Sequence, residues 1–238
     1  MTAGRAPRPL VLVGASGLAR EVLAALRSPR WAAAPYHPVG VLDDDPGTHG
    51  RVVAGVPVLG GAAAVTEHPD ADLLLCVGSG AVRAAVADRL RALGVGAGRW
   101  ATVVHPSVEV PAGCVVGPGS VLLAGVVLTA DVHVGAHVVV MPHVTLTHDD
   151  RVADFATLAA GVTLGGGVAV GPRATLGMGA CVRERLRVGA GATLGAGAVL
   201  LTDLPDGATW AGVPARPLRQ TRSGLELEHE HDERTVPA

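Results

Sequence analysis

The sequence predicts two units in tandem: a small α/β unit over residues 1–100 and an all-β coil of short parallel strands over residues 101–218. Three observations predict this. Val or Leu recurs at every sixth position from Val104 to Leu200, seventeen times without a slip of frame. Before residue 100, apolar runs at 9–13, 39–42 and 73–77 are interleaved with helical stripes. The composition is poor in rings, with Trp31, Tyr36, Trp100, Phe155 and Trp210 the only aromatics among 238 residues, against 33 Gly. An interior built from Val, Leu and Ala must be narrow and regular.

The elements of the first unit follow in order. Pro9 to Val13 reads as a buried strand, Gly14-Ala15-Ser16-Gly17 as a tight turn, and Leu18 to Arg27 as a helix with Leu18, Val22 and Leu26 on one stripe. Val39 to Leu42 is a second strand that runs into Asp43-Asp44-Asp45. Leu73 to Val77 is a third strand that runs into Gly78-Ser79-Gly80, and Ala81 to Leu93 is a second helix. Strand, helix, strand, strand, helix is an α/β unit with a parallel sheet, Rossmann-like in its order. Gly14 and Gly17 let backbone N–H groups approach an anion at a helix start. Asp43 and Asp44 fall where acidic groups contact ribose hydroxyls in dinucleotide folds. The full GxGxxG fingerprint is missing, and the same residues also suit a plain turn and a solvated loop.

The second unit is read from its repeat. In lines of six from residue 103, the second place is always Val or Leu. The sixth place is apolar or small in sixteen of seventeen lines, Asp150 being the exception. Gly, Ala and Pro crowd the places between. A period of six fits neither a helix nor a long alternating strand. It fits strands of a few residues joined by tight corners, three to a turn, stacked at roughly 4.8 Å. An antiparallel sandwich would need turns at a spacing of about 8–12 residues.

Composition excludes several classes. The formal charge is −2 with no basic run, so neither nucleic acid nor an anionic membrane surface is an expected partner. No uninterrupted apolar stretch is long enough to span a bilayer, and the N-terminus lacks the apolar core of a signal peptide. Cys76, Cys114 and Cys181 have no CxxC spacing and suggest a reducing, cytoplasmic setting. Residues 219–238 are polar and acidic and are expected to be disordered.

The hexads resemble the left-handed β-helix of hexapeptide-repeat acyltransferases. With GASG-x-A-R-E-V, VLDDD, CVGSG and HPS placed before them, the order of motifs is similar to the bacterial sugar O- and N-acyltransferases. That family includes sialic acid O-acetyltransferases and UDP-4-amino-sugar N-acetyltransferases. The resemblance implies a homotrimer that uses acetyl-CoA as co-substrate and acts on a sugar or nucleotide sugar bound by the first unit. Carried over by motif, Ser16, Gly17, Asp43, Asp44 and Gly78 bind that substrate. The sequence Thr147-His148-Asp149-Asp150-Arg151-Val152-Ala153-Asp154-Phe155 matches the family's catalytic segment, making His148 a general base and Asp149 its carboxylate partner. An imidazole with a solution pKa near 6.5 suits proton removal from an amine or hydroxyl that attacks a thioester. Thr157, Gly166, Met178, Gly195 and Ala196 match positions that line acetyl-CoA, and WAGVPARPL (210–218) resembles the segment that closes the last coil.

Four positions depart from the family pattern. Leu18 stands where a His is common after GASG, Met141 where an Asn is common, Thr157 where a second His is common, and Asp150 in place of a Cys. His133, His137 and His143 read as surface or interface positions. Two other functions compete. One is a zinc enzyme like the γ-class carbonic anhydrases, since His143 and His148 are five apart, although a third His at the proper distance upstream is lacking. The other is a non-catalytic sugar-nucleotide scaffold.

Overall fold

The computed structural model describes residues 6–31, 34–221 and 224–227. The first unit contains β1 (Arg8–Val13), α1 (Gly17–Leu26), β2 (Tyr36–Leu42), β3 (Val52–Val53), β4 (Val56–Gly60), β5 (Asp72–Leu75) and α2 (Gly80–Ala92). The strands lie in the order β3-β4-β2-β1-β5. All pairs are parallel except the β3–β4 hairpin. The expected strands and helices are present, each within a few residues of its predicted ends. The hairpin is additional: Val52–Val53 and Val56–Gly60 are too short for a period to show, and the turn between them uses Ala54 and Gly55 at positive φ.

From Val103 onward the hexad frame is the frame of the structure. The first two places of each line form a two-residue strand, except at Glu109–Val110, and from Val103 to Cys181 each strand pairs in parallel with the strand 18 residues on. Val115 pairs with His133, His133 with Arg151, Arg151 with Ala169, and Ala169 with Arg187. Three lines therefore make one coil, and the coil has three faces. The first face holds the strands beginning at Val115, His133, Arg151, Ala169 and Arg187. The second holds those at Val103, Val121, Val139, Thr157, Thr175 and Thr193, and the third those at Val127, Thr145, Thr163, Cys181 and Val199. Second-place residues such as Val140, Leu146, Leu158 and Leu164 and sixth-place residues such as Val144, Ala156 and Val162 are fully buried in one continuous cluster. No aromatic ring lies inside it. Trp210, which pairs opposite Leu194, packs against its C-terminal end.

The corners take the backbone through the left-handed region at the fifth place of fifteen of the seventeen lines, Ser107 and Asp203 being the exceptions. Gly fills many of these places, but His137, His143, Asp149, Phe155, Arg173 and Arg185 occupy others at φ from 54° to 61° or, for Asp149, 64°. A left-handed non-Gly residue costs roughly 1–2 kcal/mol. The stacked coils over-determine the turn and absorb that cost.

The α/β unit docks on the second face and on the corner between the first and second faces. Leu18, Val22 and Leu23 of α1 share a buried cluster with Val103, Val121 and Val139. The chain passes between the units at Trp100–Val103: the Ala101 amide donates to Leu73 of β5 at 2.9 Å, and the Val103 amide already donates to Ser120 of the coil at 3.0 Å. After the last coil the chain turns back, with Ala211 opposite Arg216. The strand Arg216–Thr221 then pairs antiparallel with Gly224–Leu227. The expectation of disorder from residue 219 therefore differs from the structure over this hairpin, whose two arms pair with each other. Residues 228–238 lie outside the described part.

Candidate active site

The sequence-predicted residues of the first unit converge only in part. Gly14, Asp43 and Asp44 line a cavity of about 160 Å³ with Val13, Leu42, Val77 and Arg89. Gly14 has φ +108°, and a Cβ there would lie 2.8 Å from the Cys76 carbonyl oxygen, so this position admits no side chain. Asp43 holds the glycine turn: its Oδ2 accepts the Ala15 amide at 2.7 Å and its Oδ1 accepts the Asp45 amide at 2.9 Å. Asp44 Oδ1 accepts the Ala62 amide at 3.0 Å, and its other oxygen pairs with the Arg89 guanidinium. The Ala62 amide, then Arg89, hold the Asp44 carboxyl below its ordinary range. Arg89 was not legible as a site residue, since on the sequence it is one of several charges on the outer side of a helix.

Ser16, Gly17 and Gly78 are placed differently. Ser16 caps α1, accepting the Leu18 amide at 3.1 Å while its hydroxyl donates to the Cys76 carbonyl at 2.6 Å. Its side chain is committed to the fold. Gly17 opens the helix, and a Cβ there would meet nothing closer than 3.9 Å, so close backbone approach is required at Gly14 and not at Gly17. The Gly78 carbonyl accepts bonds from Arg83 at 2.9 Å and from the Thr157 hydroxyl at 2.9 Å.

Those two bonds belong to the seam between the units. Arg83, on the inner stripe of α2, is fully buried. Its Nε donates to the His137 carbonyl at 2.9 Å, Nη1 to Val77 at 2.7 Å and Gly78 at 2.9 Å, and Nη2 to Phe155 at 2.8 Å, Ala156 at 2.9 Å and Thr157 Oγ1 at 3.1 Å. Desolvation lowers its pKa to about 10, which leaves it cationic at neutral pH. Beside it the His137 ring is stacked on Phe155 with centroids 4.9 Å apart and meets Trp100 edge-on at 4.7 Å. Burial lowers the His137 pKa to about 4, so this ring is a neutral packing element of the seam. Thr157, expected to line acetyl-CoA, is thus engaged with the α/β unit on the second face.

His148 lies elsewhere, on the corner between the third and first faces, opposite the face on which the α/β unit docks. Its Nδ1 is 2.9 Å from Asp149 Oδ2, and the two side chains are 68% and 66% exposed. Gly166, one coil further on, lies directly beneath: a Cβ there would be 2.2 Å from His148 Nε2. His148 and Asp149 are thus in contact, with Gly166 leaving room for the ring. Next to it Asp150 is fully buried, accepts the Thr147 amide at 2.7 Å and the Val168 amide at 2.8 Å, and has its carboxyl pushed up to about 6 by burial. Met178, Gly195 and Ala196 occupy a different corner, between the second and third faces. There the Gly197 amide donates to the Met178 carbonyl at 2.8 Å, and Met178 is 64% exposed.

A second cavity, of about 380 Å³, was not foreseen. It lies between α1 and the corner after the second face and is lined by Glu21, Ala24, Ser28, His105, Leu123 and Pro142. His105 is held by Ser107, whose amide donates to Nδ1 at 3.1 Å and whose hydroxyl lies 2.8 Å from it. Burial, and then Arg30, lower the pKa of His105. Among the described residues no three potential metal ligands cluster, and His143 and His148 sit on different corners. Among the described residues no helix is long and apolar enough to cross a membrane.

Residues 9–90 match the PglD N-terminal domain family. The acetyltransferase domain of PglB from Neisseria gonorrhoeae FA1090 is similar to the chain at 32% identity and a TM-score of 0.77, over 89% of this chain and 100% of that one. PerB from Caulobacter crescentus, solved in complex with CoA and GDP-perosamine, is similar at 31% identity and a TM-score of 0.79, over 90% and 99%. WeeI from Acinetobacter baumannii AYE shares the fold at 24% identity and a TM-score of 0.72, over 88% and 99%. No curated protein matches the chain significantly. The α/β unit followed by a left-handed parallel β-helix defines the class, that of the β-helical acetyltransferases. The chain belongs to the hexapeptide-repeat sugar acyltransferase family.

Proposed function

We propose that the protein transfers the acetyl group of acetyl-CoA to the amine of a nucleotide-linked amino sugar, with His148 as the general base. The observation that carries this reading is the arrangement at one exposed corner. His148 donates Nδ1–H to Asp149, which leaves the Nε2 lone pair free above Gly166. In this mechanism the acceptor nitrogen attacks the thioester carbonyl carbon and gives its proton to Nε2. The tetrahedral intermediate collapses, the C–S bond breaks, and the CoA thiolate takes the proton back from the imidazolium. Asp149 fixes the tautomer and stabilises the cation formed in between. A sugar hydroxyl would pass through the same steps.

The relatives support the substrate class. The Caulobacter enzyme was solved with CoA and GDP-perosamine, also in forms with a histidine replaced by Asn or Ala, and the Neisseria domain with acetyl coenzyme A. Gly14, Asp43, Asp44 and Arg89 are the groups in this chain suited to the nucleotide part.

A homotrimer completes the site in this reading. In one chain the corner bearing His148 is turned away from the α/β unit, so the two halves of the site belong to neighbouring copies. A ring of three brings the His148–Gly166 corner of one copy toward the Met178–Ala196 corner of the next, and a closed ring leaves no unpaired interface. Steady-state acetyl transfer tests the reading: CoA release is measured with UDP-, GDP- and dTDP-linked amino sugars and their hydroxyl analogues. Turnover with an amino sugar nucleotide above the hydroxyl analogue supports it. CoA release that no nucleotide sugar stimulates rejects it.

A further inference from the structure

We propose that Asp150 is a positioning residue for acetyl transfer: its carboxylate locks the backbone turn that presents His148. The inference rests on the reading of His148 as the base.

The other corners show what the repeat does by default. The sixth-place amide donates back to the third-place carbonyl of its own corner, as from Ala174 to Gly171 at 3.2 Å, Ala180 to Gly177 at 3.1 Å and Ala192 to Gly189 at 3.2 Å. The sixth-place side chain points inward and is apolar or small. At Asp150 a carboxylate takes that inward place and is fully buried. One oxygen accepts the Thr147 amide within the turn, and the other accepts the Val168 amide one coil on. The turn from Thr147 to Asp150 is therefore tied both to itself and to the following coil, and His148 and Asp149 are the two residues between the ties.

The repeat contains a partial precedent. Ser120 is another polar sixth-place residue, and its hydroxyl accepts the Val138 amide at 2.9 Å and donates to the Gly135 carbonyl at 2.8 Å. It makes the tie to the next coil without one inside its own turn. The internal tie is what Asp150 adds, at the turn that carries the base. The need for it follows from exposure. Within one protomer the His148 and Asp149 side chains are largely exposed, and the ring is held only by Asp149 and by the Gly166 backbone beneath it, so its aim depends on the turn that carries the pair. Displacement of a catalytic group by about 1 Å costs on the order of 10²-fold in rate.

The test is a graded series in the full-length protein. Asp150→Val restores the default corner and removes both ties, and Asp150→Ser keeps the tie that Ser120 makes. The expected result is a kcat about 10- to 100-fold below wild type for Asp150→Val and intermediate for Asp150→Ser. KM for acetyl-CoA and for the acceptor, and the thermal midpoint, should not worsen. Asp150→Val with a kcat within about twofold of wild type, or a loss that only follows a fall in thermal stability, overturns the proposal. His148→Ala serves as the reference. If that variant turns over like wild type, the base reading falls and this inference with it. If His148→Ala is inactive while Asp150→Val is unimpaired, only this inference falls.

Discussion

Replacement of Arg83 by Met should uncouple the two units. The guanidinium is fully buried and makes six hydrogen bonds, five of them to backbone carbonyls on both sides of the seam. Gly78 keeps its bond from Thr157, and Ala156 keeps its bond from the Val139 amide. The carbonyls of Val77, His137 and Phe155 lose the Arg83 donor. Each abandoned acceptor, buried at His137 and half-buried at Val77 and Phe155, costs about 1–3 kcal/mol, or roughly 6 kcal/mol for three. Against this, the buried cation carries a desolvation cost of about 3 kcal/mol, the equivalent of its pKa falling from 12.5 to about 10. The net loss is about 3 kcal/mol, concentrated at the seam. Urea unfolding followed by far-ultraviolet circular dichroism and by tryptophan fluorescence, to which Trp100 contributes from the seam, reads the effect. The variant should show the α/β unit melting at lower urea than the β-helix. An unfolding free energy within about 0.5 kcal/mol of wild type, with the two signals coincident, would refute the reasoning.

Three further outcomes follow. Asp150 carries a folded-state pKa raised from 3.8 to about 6, so its native carboxylate is disfavoured: the penalty is absent below about pH 4 and complete above about pH 6. Wild type should therefore lose about 3 kcal/mol relative to Asp150→Val as pH rises from 4 to 7, measured by urea denaturation, and parallel stability curves would contradict this. Gly14→Ala should weaken nucleotide-sugar binding at least about tenfold by calorimetry, since its Cβ meets the Cys76 carbonyl at 2.8 Å, while Gly17→Ala should stay within about twofold. Equal effects of the two substitutions would show that the turn is not read through Gly14. Gly166→Ala should lower kcat about 10-fold or more by displacing the His148 ring, and an unchanged kcat would mean that the ring works from another position.

The β-helix was legible because its physics is periodic. Every line of six must send one large aliphatic and one small group inward, so Val104 to Leu200 announce the coil, and Asp150 announces a charge buried inside it. His148 and Asp149 were legible because the pair is local in sequence. What depends on distant partners was not. Arg83 reads as a solvated helix charge, since its acceptors on the coil lie 54 to 74 residues away. Ser16 and Gly17 looked like ligand groups because a helix cap and an anion site use the same residue types, and only the geometry shows Ser16 spent on Leu18 and Cys76. Thr157 carried a family position, but the docked α/β unit occupies it. The distribution of Gly166 and Met178 over two corners follows from the 18-residue coil, which assigns a face to every residue once the frame is known.

The most direct test of the account is the His148→Asn variant, assayed for acetyl transfer alongside calorimetric binding of CoA and of the amino sugar nucleotide. The account predicts both ligands bound within a few-fold of wild type and kcat reduced about 10²- to 10⁴-fold. Turnover close to wild type, with both ligands bound, would contradict it.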